Sequence, residues 1–266
     1  MCALPEKIVK NDCYSDLKQF TDARIAIGRA GYSVPLREML EFKMSHAHAR
    51  DEVFSELNIE ELSKGLHAMQ LIWILVKSRA ANRELYIRRP DLGRKLSDES
   101  VGRLSDLDCK ACDVAIILAD GLSASAINNH AIPFLSKLIP ALKLMDFSLA
   151  AVVITENGRV AIGDEIAFSQ KARMSLILIG ERPGLSSPDS MGAYLTYSPK
   201  PGLKDDSRNC VSNIRQGGLD YPLAADKVCY LIKEAFARKL SGVALKEEFV
   251  CLPGYKKEDD QKDLSS

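Results

Sequence analysis

Three continuous apolar runs between residues 113 and 179, each separated from the next by a helix-like stretch, constrain this chain more than any other feature. Residues 113–118 (DVAIIL), 147–154 and 174–179 lack the polar–apolar alternation of a half-exposed strand and fit strands buried on both faces. Between them, residues 123–144 and 162–172 have helical periodicity, with a break expected near Pro133 or Pro140. Residues 193–197 alternate as a fourth strand, 211–214 read as a fifth, and 223–240 as a closing helix. Strands alternating with helices predict an α/β fold: a mostly parallel, Rossmann-like sheet with helices on both faces.

The first hundred residues have a different rhythm. Residues 33–35 look like a helix entry, and Leu36, Leu40, Phe42, Ala47 and Val53 mark a helix running to about residue 57. A second helix is expected from residue 59, with Leu66, Met69, Leu71, Trp73 and Ile74 on its buried face. Residues 86–100 read as a charged crossover punctuated by Pro90 and Gly93. The expected division is a helical N-terminal region over 1–100, a sheet domain over 101–250 and a mobile polar tail over 251–266.

Charge and cysteine usage narrow the function. The 36 basic and 36 acidic residues cancel, so no basic excess points to nucleic acid. The seven cysteines, an odd number at scattered positions, suit a reducing cytosol better than a disulfide framework. The start has no apolar core of a secretory signal, and the longest apolar stretch, near residues 67–76, is too short to span a bilayer. The expectation is a soluble cytoplasmic protein.

Candidate catalytic motifs are weak. Cys109-x-x-Cys112 precedes a strand rather than opening a helix, and no second ligand pair lies nearby to complete a zinc site. His46 and His48, two apart in a helix, point to different sides and do not chelate one metal. Neither a metal site nor a catalytic residue is assigned to this chain. Asp120-Gly-Leu-Ser123 sits at a strand-to-helix turn, where either Asp120 or Ser123 is a candidate cap. One glycine there falls short of the three-glycine dinucleotide fingerprint, which weakens the alternative of a nucleotide- or flavin-binding α/β module with independent activity. A purely structural assembly subunit is a third reading.

The densest information lies in residues 180–218, where a run of fixed-geometry residues (GERPGLSSPDSMGAYLTY) follows a buried strand and leads through a charged spacer to RNCVSNIRQGG. With residues 20–31 (FTDARIAIGRAG), 41–51 (EFKMSHAHARD), 118–124 (LADGLSA) and 158–160 (GRV), in that order, this block resembles the small subunit (light chain) of adenosylcobalamin-dependent ethanolamine ammonia-lyase. The resemblance spans nearly the whole chain. It implies a carbon–nitrogen lyase active only as a hetero-oligomer, in which a large subunit houses the conversion of ethanolamine to acetaldehyde and ammonia. The implied radical mechanism begins with homolysis of the cobalt–carbon bond of adenosylcobalamin. The small subunit's implied share is to help bind that cofactor at the boundary with the large subunit. Carried over residue by residue, the cofactor-binding positions are Val160, Glu181 and Cys210. The resemblance implies a base-on cofactor, and in agreement no histidine here stands in the Asp-x-His-x-x-Gly pattern that replaces the base. Further copies in a higher-order assembly, and packaging in a bacterial microcompartment, are also implied.

Overall fold

In the computed structural model, residues 9–21, 23–106 and 110–245 are described. Their elements in chain order are β1 (Val9–Lys10), β2 (Arg29–Ala30), α1 (Leu36–Val53), α2 (Ile59–Ala68), β3 (Trp73–Lys77), α3 (Arg83–Arg88), α4 (Asp98–Ser105) and β4 (Cys112–Ala119). There follow α5 (Ala124–Leu144), β5 (Val152–Glu156), α6 (Ile162–Ser169), β6 (Ala172–Gly180), β7 (Met191–Tyr197), β8 (Asn209–Ile214) and α7 (Tyr221–Arg238). The expected mobile tail over 251–266 and Cys109 lie outside the described residues.

The six-stranded sheet has the order β3-β5-β4-β6-β7-β8. Its first four strands are parallel, whereas β7 and β8 run antiparallel to their neighbours. The parallel strands carry the continuous apolar runs, as burial on both faces requires. One face packs on α2, α5 and α7 around Phe134, Leu138, Leu176, Leu195 and Val228. The other packs on α4 and α6 around Leu104, Ile117, Ile162, Ile166 and Ile177.

Three expectations are corrected. Residues 73–77 do not continue the second helix. They form β3, an edge strand paired in parallel with β5, so the sheet also draws on the first hundred residues. Helix α2 stops because Gln70 adopts φ +58°, the Leu71 N–H donates to the Leu66 carbonyl (3.0 Å) and the Gln70 N–H to that of His67 (2.9 Å). This six-to-one and five-to-two pair closes the helix as a left-handed residue usually does, with glutamine where glycine is the common signal.

Second, α5 runs unbroken through Pro133 and Pro140. Each proline removes one backbone donor, at a cost of roughly 3 kcal/mol in an unsupported helix. Full burial of Ile127, Phe134, Leu135, Leu138 and Leu142 offsets that cost, since each such side chain contributes about 1.5–3 kcal/mol. Third, the charged crossover over 86–100 holds parts of two short helices, capped by Asn82 on the Leu85 N–H (2.9 Å) and by Ser97 on that of Ser100 (3.2 Å).

Helix α1 forms where expected, but none of its residues is buried. Leu36, Met39, Leu40, Phe42 and Met44 are all exposed, as are Tyr14, Phe20 and Tyr32 before them.

Candidate functional site

The connections from β4 and β5 leave on opposite faces, through α5 and α6. The carboxyl ends of two such strands are where open α/β sheets usually form a ligand crevice. Here the protein fills that position itself. Ser123, not Asp120, caps α5 by accepting from the Ala126 N–H (3.3 Å). Asp120 is buried and accepts from the backbone N–H groups of Asn157 (2.8 Å) and Gly158 (2.9 Å). Arg83 donates to Asp120 (3.4 Å) and to the Gly121 carbonyl (2.8 Å). Burial raises the Asp120 carboxyl to about 6, opposed by Arg83 and the backbone donors. Gly121 (φ +57°) and Gly180 press together, so that a Cβ on Gly180 would strike the carbonyls of Ser123 and Asp120.

The open surface lies further along the sheet. Helix α6 lies mainly over β4 and β6 and reaches β7 only through Asp164, which bonds Thr196. The same face of β7 and β8 therefore forms a shelf on which Tyr194 is half-buried and Cys210 and Ser212 are exposed. Alternation along β7 turns Met191, Ala193 and Leu195 into the larger core and leaves Gly192 and Tyr194 on the shelf. Cys210 pairs directly with Tyr194 across the β7–β8 ladder, and Ser212 follows two residues on. Glu181, at the end of β6, reaches over this face. Its carboxylate accepts from the hydroxyls of Ser190 and Ser212 and from the Asn213 N–H (3.2 Å). Gly192 makes the room: a Cβ there would meet Glu181 Oε1 at 2.8 Å and Tyr194 Cε2 at 3.1 Å.

Val160 stands at the rim of the shelf, just before α6. It lines a cavity of about 470 Å³ with Arg94, Arg159, Tyr194, Asp205, Arg208 and Cys210, among others. Thus Val160 and Cys210 share one cavity, and Glu181 joins them through Gly192 and Tyr194. Cys210 is exposed along its length, yet neighbouring protein atoms crowd its sulfur. That desolvation raises its thiol pKa, with the Glu181 charge adding to the rise and the Tyr194 hydrogen bond opposing it. Burial likewise raises the Tyr194 phenol.

Two supports lie behind the shelf. Arg208 is paired with Asp164, each side chain only 2% exposed, and also with Asp205 (2.8 Å). His130 of α5 lies between the Tyr221 hydroxyl (2.9 Å) and Asp189 (3.2 Å), tying the loop after β6 to α5 and α7. Motif reading passed over Tyr194, Arg94 and Arg208. For Tyr194 a signal existed, since it is the aromatic residue out of phase with the core-facing set in an alternating strand.

His46 and His48 are exposed on α1, away from one another's face. Among the described residues no three His, Cys, Asp or Glu side chains gather to hold a metal ion, and no helix is long and apolar enough to cross a membrane.

Fold and site together define an open-sheet α/β protein whose candidate ligand surface is a strand face rather than the crevice at the switch point. Residues 11–246 match the family model described as ethanolamine ammonia-lyase light chain. The ethanolamine ammonia-lyase small subunit of Bradyrhizobium diazoefficiens is 48% identical over 234 residues, covering 88% of this chain and 90% of the relative. That of Pseudomonas paraeruginosa is 48% identical over 248 residues, covering 92% and 90%, and that of Pseudomonas fluorescens 49% over 236 residues, covering 88% and 86%. The chain belongs to the ethanolamine ammonia-lyase light chain family.

Proposed function

We propose that this chain is the cofactor-clamping subunit of an ethanolamine ammonia-lyase, and that the β7–β8 shelf holds one side of a cobalamin while a large subunit covers the other. The observation carrying this reading is that Val160, Glu181 and Cys210, far apart in sequence, converge around Tyr194 at the edge of the sheet beyond α6. Adenosylcobalamin, when bound, supplies the radical chemistry that turns ethanolamine into acetaldehyde and ammonia.

The side chains suit a corrinoid, which presents amide donors, a phosphate, a ribose and a flat apolar base. Glu181 is held in place by three donors yet keeps acceptor capacity for an amide or ribose hydroxyl. Gly192 leaves room for that carboxylate to lie across the strand. Val160 and Tyr194 give an apolar wall, and Cys210 a compact polarizable contact. The cofactor binds base-on, with no ligand to cobalt from this chain.

The exposed apolar residues of α1 and the preceding arm, within the 1–100 region, are the surface for subunit contacts. Synthesis in the cytoplasm, higher-order assembly and packaging within a bacterial microcompartment follow the family pattern.

Co-expression tests this reading. Ammonia release is expected only when both chains and adenosylcobalamin are present, and Glu181→Ala is expected to weaken cobalamin retention in a complex that still assembles. Activity from this chain alone, or unchanged retention in the variant, contradicts it.

A further inference from the structure

The cavity beside Val160 is lined by three arginines and one carboxylate, Asp205. Of its three arginines, Arg208 is committed to Asp164 and Asp205. Arg159 lies over the Tyr86 ring (4.2 Å) and donates to the Tyr86 carbonyl (3.4 Å), but faces no carboxylate partner among the described residues. Its Nε is buried without a hydrogen-bond partner. Arg94 is exposed at the cavity edge and makes no ion pair among the described residues. The two are tied together by backbone: the Arg159 N–H donates to the Gly93 carbonyl at 2.7 Å, next to Arg94. Gly93 permits that approach, because a Cβ there would sit 2.9 Å from Arg159 Cγ and 3.0 Å from the Tyr86 ring.

Two arginines that line one cavity and make no ion pair among the described residues, next to a wall of Val160 and Tyr194, suit an anion joined to a flat apolar group, the Asp205 carboxylate there being taken by Arg208. We propose that Arg94 and Arg159 receive the phosphodiester of the cobalamin nucleotide tail, with the attached base against Val160 and Tyr194. This rests on the shelf reading above and names the part of the cofactor that each end of the site takes. Glu181 serves the amide and ribose groups, and the arginine pair serves the charge. The tail's single negative charge is then matched by the cavity, and corrinoids that lack the tail lose that contact.

The test uses the co-expressed two-subunit complex and two corrinoids, cyanocobalamin and dicyanocobinamide, which has no nucleotide tail. Binding is measured by equilibrium dialysis with visible absorbance, in wild type, Arg94→Ala and Arg94→Lys. Arg94→Ala is expected to weaken cyanocobalamin binding about tenfold, as for loss of one charge-assisted contact, and cobinamide binding less than about twofold. Arg94→Lys is expected to recover most of the loss, and added salt to shrink it. Equal losses for both corrinoids, or none for either, would overturn the proposal and leave the shelf standing. Loss of inorganic phosphate binding in Arg94→Ala, with the two corrinoids still equally bound, assigns the pair to a free anion and also overturns it. A wild-type complex that binds neither corrinoid overturns the shelf reading and this proposal together.

Discussion

The Asp120 carboxylate, at the end of β4, accepts a 2.9 Å hydrogen bond from the backbone N–H of Gly158, beyond the end of β5. That bond and its twin from Asn157 do two things at once. They close the crevice where a sheet of this type usually takes a nucleotide, and they fix the segment that presents Arg159 and Val160 to the cavity. The proposed ligand surface lies instead at the antiparallel edge of the sheet.

Replacing Asp120 with alanine leaves two backbone N–H groups and the Arg83 guanidinium without their acceptor in a buried setting. The expected cost is about 2–4 kcal/mol of folding stability, read as a lower urea midpoint at unchanged slope. A midpoint within error of wild type would contradict the role given to this carboxylate.

The same group sets a pH dependence. Its folded pKa of about 6 lies above the ordinary value of about 3.9, so protonation favours the folded state. The Asp120 contribution is therefore fully present below about pH 4 and is lost as pH rises through about 6. Comparing wild type with Asp120→Asn over pH 4–7 isolates it: the difference in urea midpoint between the two proteins is expected to change across that window and be flat above it. A constant difference from pH 4 to 7 contradicts the assignment.

Asp164→Ala strips the buried Arg208 of its buried carboxylate and leaves the exposed Asp205 and the Leu203 carbonyl (3.2 Å) as its acceptors. Breaking such a pair typically costs ~3–5 kcal/mol, whereas Asp164→Asn keeps an acceptor and is expected to cost less. Denaturant midpoints of the two variants give the ranking.

Gly192→Ala separates site from fold. The added methyl group meets the movable end of Glu181 rather than backbone, so the carboxylate shifts and the strand does not. Thermal stability is expected to fall by only a few degrees, corresponding to ~1 kcal/mol, while cobalamin retention in the two-subunit complex drops. Retention equal to wild type shows that the Glu181 position is unimportant.

Much of the sheet was legible because burial on both faces leaves continuous apolar strings, as in β4 and β6, while β7 alternates large apolar residues on the core face with Gly192, Tyr194 and Thr196 on the other. Strand β3 was hidden because its entry uses Gln70 in the left-handed region, where no glycine marks the helix end. The helical break expected at Pro133 and Pro140 failed because long-range packing outweighs a local penalty. Val160, Glu181 and Cys210 came from family resemblance, since nothing in their spacing reveals that strand order β6-β7-β8 brings them together. Arg94 and Arg159 look like ordinary surface charges until a backbone bond between residues 159 and 93 sets them side by side.

Cys210 gives the most direct test of the shelf, because this exposed residue, with its partly crowded sulfur, lies on the proposed contact face. In the assembled two-subunit complex, the rate of Cys210 alkylation, followed by peptide mass spectrometry, is expected to fall several-fold on saturation with hydroxocobalamin. The rate at Cys13, exposed near the start of the chain, is expected to stay constant. Equal Cys210 rates with and without the corrinoid would mean that the cofactor does not rest on this face.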